Sequence, residues 1–360
     1  LVMIDLMDYS PCEVYQGHGI ISVLKSLTAA GSTVLVITSR GMLNRNVFSA
    51  VKDNLQGRTL IIKTVSSNPD LDNLDELRNS LLSQKIDQII SLGGGSVMDA
   101  AKVLSVMLHP SNSMLTLDDV LRKNISFTNS RLPLINTPTT SGTGAEVTPF
   151  ATVWDFKHSK KKSFASLSLV PDSVILDAET TFGSPEKLTV NCALDTCSHA
   201  MESLWNKNAT EESVLLASES LKILLKELPE LMKEDSLISR EKLQVASFIA
   251  GLAISINRTA IAHSISYPVT LHYGMPHGLA CAFTLPKIAQ LISSRNAWAK
   301  GVDLKLINSI LVLLEELDLN KMVSEYCSKE QLMKLIPEMS TKGRADNFVL
   351  DNYSLEKILA

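Results

Sequence analysis

Three consecutive glycines, Gly93-Gly94-Gly95, stand between the apolar run Gln88-Ile89-Ile90-Ser91-Leu92 and a helical pattern that begins near Val97. Glycines let the backbone turn tightly and bring its N–H groups close to a ligand, and the helix that follows presents its positive end. Residues 91–102 therefore read as strand, phosphate-binding loop, helix. The loop is not GxGxxG and lacks the GK[ST] ending of a P-loop. The competing reading is a plain strand-to-helix turn with Ser96 as N-cap.

Similar runs recur through the first half. Thr33–Thr38 and residues 87–92, 132–137 and 174–177 are short and apolar, and helical patterns at 74–85 and 97–107 lie between them. Strand–helix–strand repetition predicts a mostly parallel sheet with helices on both faces. After about Thr180 the texture changes: 185–205, 211–232, 239–256 and 304–317 read as helices, with no convincing strand. At 360 residues the chain exceeds one core. The expected division is an α/β Rossmann-like dinucleotide domain over 1–180 and an all-helical domain over 181–360.

Lys+Arg is 34 and Asp+Glu is 38, a formal charge of −4. This argues against a nucleic-acid or anionic-membrane footprint but leaves room for a local basic pocket. No apolar run approaches the roughly 20 residues of a membrane span. The first ten residues carry Asp5 and Asp8 and no base, unlike the start of a signal peptide. Five cysteines without a CxxC pair suggest reduced thiols in a cytoplasmic protein, not a disulfide framework.

A second loop, 138–148, concentrates Thr139, Thr140, Ser141 and Thr143 after a strand end, where open parallel sheets bind ligands. These are neutral donors suited to phosphate, ribose or carboxamide; the alternative is an ordinary surface loop. Farther on, Asp195 and His199 at i, i+4 share one helix face. With His263 and His277 they make one Asp and three His, a plausible set for a divalent first-row metal. At about 100° per residue, Cys197 points away from that face and is not expected to be a ligand. His272 reads as a surface residue.

The motif Gly93-Gly94-Gly95-Ser96-x-x-Asp99-x-x-Lys102, the 139–148 loop, Asp195-x-x-x-His199 and His263…Pro276-His277-Gly278 occur in this order. Together they resemble the iron-containing (group III) alcohol dehydrogenases, essentially end to end. The resemblance implies a dehydroquinate synthase-like architecture with the active site in the cleft between two domains. It implies Asp195, His199, His263 and His277 as ligands of Fe(II), with Zn(II) also possible. Gly94, Gly95, Ser96 and Asp99 match the pyrophosphate loop of NADPH or NADH. Thr139, Thr140, Thr143 and Lys161 match further cofactor contacts, although Lys160 to Lys162 otherwise read as a solvated loop. A homodimer is a family-level expectation.

Three positions depart from that pattern. Tyr267 stands where many members carry a histidine, four residues after His263; it either replaces a proton relay or packs. Ser39 and Arg40 follow the second strand, where NAD-preferring members often carry Asp, and this favours NADPH or dual use. Arg258 stands where the approach to the third ligand is commonly glycine-rich. It is assigned to an anionic group of the substrate, with a structural ion pair to Glu146 or Glu202 as the alternative. Residues 257–268 resemble the subgroup that reduces phosphonoacetaldehyde. The expected function is metal-dependent NAD(P)H reduction of a small, anionic aldehyde to its primary alcohol. The alternatives are a general short-chain alcohol dehydrogenase, a zinc lyase of the dehydroquinate synthase type, and a non-catalytic metal-binding remnant.

Overall fold

The structure is a computed structural model that describes residues 6–158, 160–340 and 342–359. Its backbone divides into two compact units, one running through Thr140 and resuming over Ala145–Phe182, the other comprising Ser141–Gly144 and the chain from Gly183 onward.

The first unit is built on six parallel strands: β1 (Glu13–Gly17), β2 (Thr33–Thr38), β3 (Thr59–Thr64), β4 (Gln88–Gly93), β5 (Leu134–Pro138) and β8 (Ser173–Asp177). Their order is β1-β8-β5-β4-β2-β3. The central strands β2, β4, β5 and β8 are buried almost throughout, which their continuous apolar sequence requires. Alternate side chains feed two cores: Leu35, Ile37, Ile89 and Leu134 face one, and Val34, Val36, Ile90 and Ile135 the other. A separate antiparallel hairpin pairs β6 (Phe150–Asp155) with β7 (Lys160–Ala165). The Lys160-Lys161-Lys162 run, expected in a loop, is therefore strand.

Register sets the position of the loops. Thr38 pairs with Leu92, and Gly93 with Pro138, so the carboxyl ends of β2, β4 and β5 lie side by side. The Thr139 N–H donates to the Gly93 carbonyl at 3.0 Å, tying the two loops together at their roots.

The second unit is helical. Its long helices Glu186–Leu204, Glu211–Lys233 and Leu237–Asn257 pack on one another, followed by Ile261–Tyr273, His277–Ala282, Leu285–Ser294 and Leu304–Glu316. The chain bends by 109° between Leu237–Asn257 and Ile261–Tyr273. Among the described residues no single helix is long and apolar enough to cross a membrane. All five cysteines are free.

Candidate functional site

Asp195 and His199 lie one turn apart on the buried face of Glu186–Leu204. His263 sits in the first turn of Ile261–Tyr273, and His277 opens the helix His277–Ala282 behind Pro276. The fold brings all four together. Asp195 Oδ1 is 3.6 Å from Nε2 of His263, 3.7 Å from Nε2 of His199 and 3.9 Å from Nε2 of His277. Gly278 permits this closeness: a Cβ there would stand 1.8 Å from the Asn191 carbonyl oxygen on the neighbouring helix.

A buried polar atom without a partner is costly. Asp195 Oδ1, His199 Nδ1 and His263 Nε2 are all buried with no hydrogen-bond partner. Atoms bound to one tetrahedral ion at ~2.1 Å stand about 3.4 Å apart, so the observed spacings suit a shared ion after small inward shifts. Burial works against an ionised Asp195, yet the His199, His277 and His263 rings hold its carboxyl well below the usual range. Burial pushes His199 down to about 4, which keeps its ring neutral and able to ligate at pH 7. The residues fit a divalent metal.

Glu202, one turn beyond His199, is fully buried. It accepts the N–H groups of Ala260, Ala262 and His263 and lies 2.7 Å from His263 Nδ1. That contact assigns the His263 proton to Nδ1 and leaves Nε2 facing Asp195. Glu202 appeared in the sequence reading only as a partner for Arg258. The i, i+4, i+7 stripe Asp195–His199–Glu202 is the signal that would have found its role.

Arg258 is exposed, at the C-terminus of Leu237–Asn257, with φ +64° and ψ 171°. Non-glycine residues rarely adopt this backbone, which costs about 1–3 kcal/mol. Arg258 lies outside both helices: residues 258–260 form the break between them. Tyr267 is half-buried, its ring parallel to that of His277 at 6.2 Å. Burial raises its phenol above the ordinary value. Over the Tyr267 ring, 4.7 Å from its centroid, lies the guanidinium of Arg344, which donates to Thr259 Oγ1 at 2.6 Å. No spacing in the sequence links Arg344 to Tyr267, which stands 77 positions earlier in the chain.

In the α/β unit, the helix Gly95–Met107 begins with Gly94 as N-cap and no side-chain cap. Ser96 is not the cap; its hydroxyl accepts the Asn68 N–H at 3.0 Å. A Cβ on Gly94 would come within 3.1 Å of Thr140 Oγ1, so the loop is a close-walled backbone cradle. Thr139 is buried and Thr140 half-buried, while Thr143 groups with the helical unit. Asp99 is turned to a structural task, its Oδ2 accepting the Thr152 N–H at 2.8 Å. Lys161 lies 5.7 Å over the Trp154 ring. Ser39 and Arg40 line a cavity of about 490 Å³ with Ser66, Ser67 and Asn73, beyond the ends of β2 and β3. Asp70, which also borders it, is committed to the N–H groups of Asp72, Asn73 and Phe156. The vacant cap, the cradle and this cavity fit a dinucleotide.

Comparison with known proteins places the chain. Residues 11–178 match iron-containing alcohol dehydrogenase, and residues 189–353 match the C-terminal part of the Fe-containing alcohol dehydrogenase family. The chain belongs to the iron-containing alcohol dehydrogenase family. It is 31% identical over 300 residues to the bifunctional aldehyde-alcohol dehydrogenase of Escherichia coli, a match covering 79% of this chain and 34% of that protein. The chain thus spans about a third of the length of that relative. It is 30% identical over 234 residues to the phosphonoacetaldehyde reductase of Streptomyces viridochromogenes (64% of this chain, 59% of that one). It is likewise 30% identical over 260 residues to the sulfoacetaldehyde reductase of Bilophila wadsworthia (71% and 66%). The iron-containing alcohol dehydrogenase structure from Thermotoga maritima superposes with a TM-score of 0.81 at 27% identity, covering 98% of this chain and 96% of that one.

Proposed function

We propose that the protein reduces a two-carbon aldehyde bearing a phosphonate or sulfonate group, phosphonoacetaldehyde first among them, to the primary alcohol with NADPH or NADH. When bound, a divalent ion would supply Lewis-acid polarisation of the carbonyl and the nicotinamide a hydride. Asp195, His199, His263 and His277 are the residues that would hold the ion; the Gly94–Ser96 cradle, Thr139, Thr140, Thr143 and Lys161 would hold the dinucleotide. Glu202 fixes His263 in the ligating tautomer. The one carboxylate bordering the cavity among its lining residues, Asp70, is engaged by backbone N–H groups, and Ser39 with Arg40 beside it supports NADPH or dual use. The overall balance is one aldehyde, one NAD(P)H and one proton giving one alcohol and one NAD(P)+.

The observation that carries the anionic substrate is Arg344, a half-buried guanidinium stacked on Tyr267, whose ring is in turn stacked on His277. Guanidinium suits bidentate phosphonate or sulfonate recognition. Two relatives act on aldehydes of this class by name. Arg258, the sequence-based candidate for the same role, is the competitor.

The test is NADPH and NADH oxidation, with Fe(II) or Zn(II) restored under anaerobic conditions, against phosphonoacetaldehyde and propanal. Arg344→Ala should raise KM for the phosphonate about 10- to 100-fold, the loss of a charged hydrogen-bonded pair, and act far less on propanal. The same split with Arg258→Ala alone would move the anion to Arg258. Equal effects on both aldehydes would leave a general short-chain alcohol dehydrogenase, and no net NAD(P)H consumption would favour a lyase.

A further inference from the structure

We propose that Thr259 is a positioning residue that holds the Arg344 guanidinium ready for the anionic group of the substrate, an inference that rests on the anionic-aldehyde reading above. Arg344 Nη1 donates to Thr259 Oγ1 at 2.6 Å, and the guanidinium carbon lies 4.7 Å from the Tyr267 ring centroid. The hydroxyl fixes one edge of the guanidinium, and the ring fixes the face on which it lies. Among the described residues, Nη1 is the only nitrogen of this group with a hydrogen-bond partner, and no carboxylate forms an ion pair with it. Nε and Nη2 are the edge that remains. Those two parallel donors match two oxygens of one phosphonate or sulfonate.

Both ends of the contact are themselves anchored. Thr259 is buried in the break between two helices. Its carbonyl accepts Asn347 Nδ2 at 2.9 Å. On either side, the Arg258 carbonyl accepts Asn206 Nδ2 at 2.9 Å, and the Ala260 N–H donates to Glu202 at 2.7 Å. The turn that carries Arg344 is tied to the same point. Asn347 Nδ2 also donates to the Gly343 carbonyl at 3.1 Å, and the Asn347 N–H donates to the Arg344 carbonyl at 2.9 Å. Asn347 thus joins the arginine's backbone to that of Thr259, and the hydroxyl completes the frame at the far end of the side chain. An arginine loses much rotamer freedom when it grips a ligand; one already held in a single pose loses less, and binds more tightly for it.

The experiment uses the full chain with Fe(II) or Zn(II) restored. Thr259→Val keeps the shape and removes the hydroxyl; Thr259→Ser keeps the hydroxyl. Thr259→Val should raise KM for phosphonoacetaldehyde about 3- to 10-fold, the net worth of one hydrogen bond, with kcat kept and a far smaller effect on propanal. Thr259→Ser should return KM to the wild-type value. Calorimetric titration with methylphosphonate, which has no carbonyl to reduce, reads the same contact without turnover: its affinity should fall by a similar factor in Thr259→Val, fall further in Arg344→Ala, and hold in Thr259→Ser. A wild-type KM and methylphosphonate affinity in Thr259→Val, an equal rise in KM for both aldehydes, or a Thr259→Ser enzyme no better than Thr259→Val would overturn the positioning role, even with Arg344→Ala losing the phosphonate. A wild type that takes propanal as well as phosphonoacetaldehyde and binds no methylphosphonate would instead overturn the anionic-aldehyde reading, and this inference with it.

Discussion

A carboxylate with no exposed surface needs donors for both oxygens, and Glu202 draws them from the chain around His263. Its partners are three consecutive-region backbone N–H groups and the imidazole itself. Burial opposes its ionisation, but the His263 charge and these hydrogen bonds keep its carboxyl below the ordinary value. One side chain thus caps the start of Ile261–Tyr273 and sets the direction of the His263 nitrogen that faces Asp195. Glu202→Gln keeps the shape and removes the charge. Metal affinity should fall 10- to 100-fold, as for other second-layer partners of ligating histidines, while the far-ultraviolet circular dichroism spectrum stays native. Unchanged affinity in a competitive chelator titration would show that His263 is oriented by packing alone. Asp195 and His199 were legible as a pair because their i, i+4 spacing has a helical meaning, while His263 and His277 joined them as candidate ligands by residue type and by the family resemblance. Glu202 and Arg344 were not legible, because their contacts with His263 and Tyr267 exist only once the chain has folded.

At the scale of elements, the same contrast holds for strands. Thr33–Thr38 was legible to the residue, since a continuous β-branched run buried on both faces has few other readings. β1 and β3 were not, because they are the sheet edges and their burial is mixed with exposed positions. The hairpin strand β7 begins with three lysines, a charge pattern that protects edges and masks strands alike. Helix–helix closeness was equally invisible. His277 reaches Asp195 only because Gly278 lets one helix press onto the backbone of another. In Gly278→Ala the Asn191 carbonyl would have to retreat by more than a side chain can absorb. Overpacking of this kind costs about 1–3 kcal/mol or more. The variant should therefore lose metal and melt at lower temperature. A metal content and melting temperature equal to wild type would mean that the two helices part without disturbing the ligands.

At the scale of the whole molecule, each unit has its own buried polar cluster, and the two answer to different chemistry. In the helical unit the cluster is Asp195 and Glu202 with His199, His263 and His277. In the α/β unit it is Lys102, fully buried, whose ammonium donates to the Thr148 carbonyl at 2.8 Å, Thr148 Oγ1 at 3.2 Å and the Phe150 carbonyl at 2.9 Å. Burial lowers Lys102 to about 8, against the opposing charges of Asp99 and Glu146. Glu146 is buried too, its Oε2 lacks a hydrogen-bond partner, and burial raises it from 4.5 to about 7 despite a backbone hydrogen bond and the Lys102 charge. Between those two values the folded unit keeps a proton that the unfolded chain releases, so stability falls as pH rises from about 4.5 to about 7. The loss is on the order of 3 kcal/mol by the linkage relation. Lys102 acts in a separate window: from about 8 upward the folded state loses its proton first, and stability recovers with pH. Calorimetry of the metal-free protein from pH 5 to 7 should thus show a falling transition for the α/β unit in the wild type. In Glu146→Gln that fall should flatten, because an amide has no proton to retain. Restoring Zn(II) should instead raise the stability of the helical unit, since binding to the folded state alone is a stabilising linkage. Parallel pH profiles for wild type and Glu146→Gln would mean that Glu146 stays ionised in the fold, with Lys102 compensating its burial in full.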